Sequence, residues 1–211
     1  MPTRSSLSWK KEENKQMKIG VLAVQGAFIE HEKMIRDLGQ ESVEIRQLKD
    51  LDGIDGLILP GGESTVQGQL LRKLDLLAPL QERIRKGLPV LGTCAGLILL
   101  AEKIEGDSLV HLGTLPVTVR RNAYGRQLAS FVRTASVSLL GTDYPMTFIR
   151  APYVTSVTDS VQIIATVDEK IVGVRFRNQI GLAFHPELSD DPRIHAYFLD
   201  MCREYLADDR T

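Results

Sequence analysis

The stretch Pro89-Val90-Leu91-Gly92-Thr93-Cys94-Ala95-Gly96 decides the fold, because it predicts a buried strand that turns abruptly into a helix. The apolar residues before Cys94 are typical of a strand that is covered on both faces. An apolar helix is predicted over 95–103. Gly92 and Gly96 let the strand and the helix approach closely at this turn. The segment is therefore typical of one strand–helix unit of an α/β protein.

The same alternation of strand and helix occurs upstream. The nearly continuous apolar run 18–24 predicts a buried strand, which Gln25-Gly26 interrupts. Pro60-Gly61-Gly62 ends a later strand sharply, and Ser64 or Thr65 can cap the helix that follows. Upstream strands are predicted over 18–24, 42–46 and 56–59, with helices over 27–38, 64–74 and 77–86. This order predicts a parallel sheet with helices on both faces.

The second half of the chain is richer in strands. Short β segments over 115–157 predict antiparallel strands at the edge of the sheet. Three more strands are predicted over 163–167, 171–176 and 179–184. The last helix carries its apolar residues at helical spacing: Ile194, Tyr197, Phe198, Met201, Cys202 and Tyr205. The expected fold is a three-layer α/β fold, with a mostly parallel central sheet and antiparallel edge strands.

Composition is that of an ordinary globular protein. The 211 residues are 43% hydrophobic and 25% charged, with a net charge of -1, which gives no support to nucleic-acid binding. No apolar run approaches the ~18 residues of a membrane span. Cys94 and Cys202 lack a Cys-x-x-Cys spacing, so a zinc site or a redox pair has no support. A chain of this size with a large core has little need of a disulfide, so we expect a reducing, cytoplasmic location. Residues 1–16 are expected to be a disordered leader or an added extension, and residues 17–211 a single domain.

Cys94 lies where a strand-to-helix turn places a nucleophile in many hydrolases. The start of a helix favours the thiolate, which is the reactive form of cysteine. The backbone N–H of Ala95 would point at a developing oxyanion. The alternative interpretation is a buried cysteine in a turn of small residues, because Gly-x-Cys-x-Gly is a short motif.

His185-Pro186-Glu187 follows the apolar strand that ends at Phe184. A cysteine nucleophile needs a base, and the base needs an acceptor that orients it. Sites in open parallel sheets form beyond the carboxyl ends of the strands, where both Cys94 and His185 are predicted. We therefore expect His185 to act as the base and Glu187 to hold its imidazole.

Other candidates follow from loops and charges. In the Gly61-Gly62 turn, the backbone N–H of Gly62 is expected to complete an oxyanion hole with that of Ala95. Arg121 and Arg150 are either surface charges or a clamp for a substrate carboxylate. Cys202 is expected in the core. His31 is expected to be solvated on a charged helix face, and no role is assigned to two further histidines, His111 and His195.

Six segments in order resemble the class I glutamine amidotransferases of the triad type, and among them the PdxT family, the glutaminase subunits of pyridoxal 5'-phosphate synthase. The segments are Val24–His31, Leu59–Thr65, Gly92–Gly96, Arg121–Gln127, Phe148–Pro152 and Phe184–Leu188. The resemblance covers residues 17 to about 207.

The resemblance implies a flavodoxin-like fold and a Cys94–His185–Glu187 triad that hydrolyses L-glutamine through a thioester. It implies that Gln25 supports the oxyanion hole. It implies glutamine contacts from these residues: Gly62, Glu63, Ser64, Arg121, Ile149 and Arg150. The implied partner is the synthase subunit PdxS, which receives ammonia in a complex of twelve copies of each subunit. No metal and no cofactor are expected.

Two other functions remain open on the residues alone. A cysteine peptidase or another acyl hydrolase could use the same elbow, because a fold does not fix a function. A scaffold subunit that keeps an inactive triad is the second alternative. The two arginines favour a small amino-acid substrate over a polypeptide.

Overall fold

The computed structural model describes residues 16–121 and 130–208. Residues 1–15 of the expected leader and residues 122–127 of one motif lie outside the described residues. The strands are β1 Lys18–Leu22, β2 Glu41–Ile45, β3 Gly56–Leu59, β4 Val90–Thr93, β5 Ala101–Ile104, β6 Leu115–Arg120, β7 Ser130–Val137, β8 Thr142–Ile149, β9 Tyr153–Val157, β10 Gln162–Val167, β11 Lys170–Phe176 and β12 Gln179–Leu182. The helices are α1 Phe28–Asp37, α2 Ser64–Lys73, α3 Leu77–Arg85, α4 Ala95–Leu100 and α5 Arg193–Asp208.

The described strands form one mixed sheet with a parallel half and an antiparallel half. Its order is β2-β1-β3-β4-β12-β11-β10-β7-β8, with β5, β6 and β9 attached beside β11. Pairing is parallel from β2 to β12 and antiparallel from β12 to β8. The expected mostly parallel sheet with antiparallel strands at its edge is therefore confirmed.

The order of the parallel strands explains why helices cover both faces. The chain moves in one direction from β1 to β2 and in the opposite direction from β3 to β4. Because crossovers between parallel strands are right-handed, the helices of these two connections lie on opposite faces. The reversal also opens a crevice beyond the carboxyl ends of the strands, which is where ligands bind in such sheets.

Helix α4 is shorter than the sequence predicts. It ends at Leu100, and the chain continues at once as β5, which pairs in parallel with β6. Glu102 and Lys103 are exposed there, whereas Ala101 and Ile104 are buried. The prediction of a helix through residue 103 is therefore wrong, because a short apolar run does not distinguish a buried helix from a buried strand.

The core lies on both sides of the parallel strands, whose apolar side chains are almost completely buried. Tyr144, Phe148, Phe184 and Phe198 are the largest side chains with no exposed surface. Among the described residues, no helix has the length and apolarity that a membrane crossing requires.

Candidate active site

The carboxyl ends of β4 and β12 bring distant parts of the chain together. The two strands pair in parallel, with Thr93 beside Leu182. The N–H of Cys94 donates to the carbonyl of Leu182 at 2.8 Å, and the N–H of His185 donates to Thr147 at 2.8 Å. These backbone bonds fix Cys94 and His185 at the same edge of the sheet.

Cys94 lies on a strained turn between β4 and α4. Its φ is 49° and its ψ is -100°, values that a residue with a side chain rarely adopts. The flanking glycines are required by the close approach of backbone on both sides. A Cβ on Gly96 would lie 2.0 Å from the carbonyl oxygen of Leu59, and one on Gly92 would lie 2.9 Å from Gly96. The turn has the tight geometry expected of a nucleophile elbow.

The His185 imidazole is bonded to an acceptor and interacts with the cysteine. Its Nδ1 lies 2.7 Å from Oε1 of Glu187. Burial lowers the pKa of His185, but the interactions with Cys94 and Glu187 outweigh burial and raise it to about 10. The ring therefore carries a proton readily while it faces the sulfur.

Glu187 is a buried carboxylate with two imidazole neighbours. Oε1 faces His185, and Oε2 lies 3.3 Å from Nε2 of His31. Burial raises the pKa of Glu187, but the interactions with the neighbouring His31 imidazole and the hydrogen bond from His185 outweigh it, so the net shift is downward. Glu187 is therefore ionised where it orients His185.

His31 is buried, and the expectation of a solvated side chain is wrong. It is 0% exposed, as is His195 of α5, and the two rings meet with Nδ1 of His31 2.9 Å from Nε2 of His195. The sequence alone already carried the signal, since Ala27 and Ile35 lie four residues before and after His31 on the apolar face of α1. His195 likewise precedes Phe198 by three residues on the apolar face of α5.

A cavity of about 510 Å³ opens in front of Cys94. Most residues predicted to contact a ligand line it, and Ala27, Gly61 and Ile98 line it as well. The lining from the predicted set comprises Gln25, Gly62, Glu63, Ser64, Cys94, Arg121, Ile149, Arg150 and His185. Ala95 is the first residue of α4, so its N–H has no partner within the helix.

Gln25 fixes the loop that follows β3. Its side-chain oxygen accepts from the N–H of Glu63 at 2.8 Å, and its carbonyl accepts from Nε2 of Gln67 at 2.9 Å. A Cβ on Gly62 would lie 2.5 Å from the same side-chain oxygen. Gln25 therefore determines the path of the Gly62 backbone, and the buried Gln67, which the sequence analysis did not single out, supports it.

Glu63 caps α2. Its carboxylate accepts from the N–H groups of Thr65 and Val66, at 3.3 and 2.9 Å. The prediction that Ser64 or Thr65 caps this helix is wrong. Glu63 is the N-cap residue, and its side chain accepts from the free N–H groups of the first turn. Ser64 is instead buried in the wall of the cavity.

Two arginines give the cavity its positive charge. Nη2 of Arg121 lies 3.2 Å from Asp107, and Nε of Arg121 is buried with no hydrogen-bond partner among the described residues. Arg150 has φ 42°, a strained value for a residue that directly follows a strand. Ile149, the residue before it, offers its carbonyl to the thiol of Cys94 at 3.9 Å. Arg121 and Arg150 therefore place two guanidinium groups in the wall of the cavity that Cys94 also lines.

A model of the SNO glutamine amidotransferase family matches residues 21–204. The chain belongs to this family. The amidotransferase is 62% identical over 185 residues to the pyridoxal 5'-phosphate synthase subunit PdxT of Desulfitobacterium hafniense, covering 87% of this chain and 92% of the relative. It is 54% identical over 192 residues to PdxT of Streptococcus pneumoniae, covering 89% and 98%. The resemblance to the PdxT family is confirmed.

Solved structures agree with this assignment of the amidotransferase. A crystal structure described as a glutamine amidotransferase has a TM-score of 0.83 at 41% identity, covering 87% of this chain and 98% of that chain. The structure of PurLQS from Thermotoga maritima has a TM-score of 0.65 at 18% identity, covering 90% and 99%, and shows a similar fold.

Proposed function

We propose that this amidotransferase hydrolyses L-glutamine to L-glutamate and ammonia and delivers the ammonia to a PdxS synthase subunit for pyridoxal 5'-phosphate synthesis. The observation that carries the proposal is the strained Cys94, which shares the wall of one cavity with the Glu187-bonded His185 and with Arg121 and Arg150. The partner and the product rest on the PdxT relatives.

The first half-reaction forms a thioester. The Cys94 sulfur attacks the carbon of the glutamine side-chain amide, and its proton resides on His185. The N–H groups of Ala95 and Gly62 stabilise the oxyanion. When the C–N bond breaks, His185 gives its proton to the nitrogen, and ammonia leaves.

The second half-reaction releases glutamate. A water molecule attacks the thioester carbon while His185 accepts one of its protons. The C–S bond then breaks, the sulfur leaves as thiolate or is reprotonated from His185, and glutamate departs. Glu187 remains ionised throughout and holds the imidazole by its Nδ1–H.

Substrate choice follows from the charges of the cavity. A free amino acid has a carboxylate that Arg121 and Arg150 can bind, and the unpartnered Nε of Arg121 is a ready donor. The carboxylate of Glu63 lines the same wall and suits the ammonium group. A polypeptide lacks both terminal charges at an internal glutamine.

Replacement of the nucleophile tests the chemistry. Cys94→Ala is expected to abolish release of glutamate from glutamine while the melting temperature stays close to that of the wild type. Cys202→Ala is the matched control, because that thiol is fully buried in the core, and it should keep the activity of the folded fraction. Glutamine hydrolysis by Cys94→Ala would overturn the proposal, as would hydrolysis of casein in place of glutamine by the wild type.

The partner is tested by comparing nitrogen sources. Added PdxS is expected to raise glutamine turnover, and an ammonium salt should replace this chain in pyridoxal phosphate synthesis by PdxS. Cys94→Ala should then form a complex that works with ammonium but not with glutamine. Equal glutamine turnover with and without PdxS would contradict a role of the partner in activation.

A further inference from the structure

A buried pair of histidines lies behind Glu187, on the side away from the cavity. His31 lies on α1 and His195 on α5, and neither side chain is among the residues that line the cavity in front of Cys94. Both are completely buried. Two buried imidazoles are costly to desolvate unless their nitrogen atoms are hydrogen-bonded, so their positions call for a physical explanation.

The contacts of the pair continue the series of polar contacts from His185 to Glu187 into the core. Nε2 of His31 lies 3.3 Å from Oε2 of Glu187 and 3.2 Å from Oγ1 of Thr93. Nδ1 of His31 lies 2.9 Å from Nε2 of His195. Among the described residues, Oε2 of Glu187 has no hydrogen-bond partner, and Nε2 of His31 is placed against it at 3.3 Å.

The charges decide which nitrogen of His31 carries the proton. A carboxylate oxygen repels a lone pair and attracts an N–H, so Nε2 is the protonated nitrogen and Nδ1 accepts from Nε2–H of His195. Nδ1 of His195 then bears a lone pair and not an N–H. This nitrogen has no hydrogen-bond partner among the described residues, and an unpaired acceptor is the smaller cost of the two tautomers.

Burial keeps both imidazoles neutral. It lowers the pKa of His31, with the charge of His185 acting in the same direction and Glu187 and Glu30 opposing it. Burial and the neighbouring His31 lower the pKa of His195 well below its usual value. These are the titratable groups that face His31 from α1, from α5 and from the end of β12, together with the uncharged hydroxyl of Thr93 from β4.

We propose that His31 is a positioning residue of the reaction, which holds Glu187 through the 3.3 Å contact of its Nε2–H with Oε2 and has its tautomer set by His195. The carboxylate is thereby fixed at both oxygens, so that Oε1 stays in line with Nδ1 of His185. The role of His31 in catalysis rests on the proposed glutaminase function, whereas its tautomer and its bond to Glu187 do not.

Two amide variants of His31 separate positioning from packing. His31→Asn ends near the place of Nδ1 and leaves Oε2 without a donor, whereas His31→Gln carries an N–H to about the place of Nε2. With PdxS and glutamine, His31→Asn is expected to lower kcat by about 10- to 100-fold, as loss of supporting hydrogen bonds does in other sites. KM should stay within about twofold because His31 does not line the cavity, and His31→Gln should recover most of kcat. Equal losses in both variants, or a loss confined to KM, would overturn the proposal.

Nitrogen-15 spectra of the imidazoles test the same bond without any turnover. In the isolated wild-type chain, His31 and His195 should both be neutral with the proton on Nε2 between pH 7 and 8. The Nδ1–H signal of His185 should move in His31→Asn and return in His31→Gln. A protonated Nδ1 on His31, or an unchanged His185 signal in the Asn variant, would refute the positioning role. A wild type with these spectra but no glutaminase activity would count against the proposed function alone.

Discussion

At the scale of single residues, the His185 ring packs directly against the backbone of Gly61. A Cβ at this position would lie 2.3 Å from Cε1 and 2.9 Å from Nδ1 of the imidazole. Contacts this short are never seen, so a side chain would displace the ring. Gly61, which follows β3, therefore contributes to the position of the proposed base, as Glu187 does.

Gly61→Ala is expected to lower both the glutaminase activity of the folded protein and its free energy of unfolding. Overpacking of this kind costs about 1–3 kcal/mol, and the displaced ring loses its alignment with Cys94. The matched control is Gly173→Ala, whose Cβ would lie 3.0 Å from Ala165 and Ile164 in the antiparallel half of the sheet. Urea unfolding and kcat should show both variants destabilised but only Gly61→Ala inactive in its folded fraction. Full activity in folded Gly61→Ala would contradict this role.

Glu187→Gln is expected to lower the pKa of His185 from its value of about 10, because the carboxylate beside Nδ1 contributes to raising it. Turnover should fall by roughly 10²- to 10⁴-fold, since the imidazole loses both its orientation and its charge partner. An NMR titration of His185 measures the first effect and a glutaminase assay the second. The control Glu82→Gln, which breaks an exposed pair with Lys86, should change neither the His185 titration nor the glutaminase activity. An unaltered His185 titration in Glu187→Gln would contradict the role of Glu187 as the charge partner of His185.

At the scale of elements, the start of α2 depends on Glu63. Glu63→Ala is expected to destabilise the protein by about 1 kcal/mol through loss of the cap on Thr65 and Val66. Ser64→Ala, the change at a position where the sequence suggests a cap, should cost less. Melting temperatures of the two variants decide between them, and a larger loss for Ser64→Ala would reassign the cap.

Sequence patterns predict the elements better than they predict side-chain surroundings. Apolar runs identify the parallel strands because strands covered on both faces leave few polar residues. The end of α4 at Leu100 is not predictable, because pairing of Ala101 with Leu115 of β6 decides it across a loop. His31 is the instructive miss: the charged neighbours Glu30 and Lys33 suggest a solvated face, whereas helical spacing places the ring with Ile35 in the core.

The candidate site divides in the same way. The proximity of Cys94, His185 and Glu187 is predictable because the strands that precede them have carboxyl ends that meet at one edge of the sheet. The support of Gln25 by Gln67 is not predictable, since it depends on a turn conformation that brings distant side chains together. The contact of His195 with His31 is also not predictable, because 164 positions separate the two residues.

At the scale of the whole molecule, stability depends on pH through His185 and Glu187. The raised pKa of His185 contributes stability that is fully present below its unfolded value of about 6.5. That stability is lost as the pH rises through about 10. The lowered pKa of Glu187 contributes stability that is present above its unfolded value and is lost as the pH falls through the folded one.

The advantage of the wild type over His185→Ala in urea unfolding should therefore shrink steadily between pH 6.5 and 10. Over this range His185 is protonated in the folded chain and neutral in the unfolded chain, so His185 binds a proton when the chain folds. Unfolding curves at several pH values measure the difference. An advantage that grows with pH would show that His185 is neutral in the folded protein.

The two thiols lie at opposite edges of the sheet. Cys202 packs against Gly56 at the beginning of β3, whereas Cys94 follows the end of β4. A strand of four residues, roughly 13 Å, separates these edges, far more than a disulfide can span. An oxidised Cys94 would therefore find no resolving thiol within its own described chain. Recovery from peroxide would then depend on an external reductant that can reach the cavity in front of Cys94.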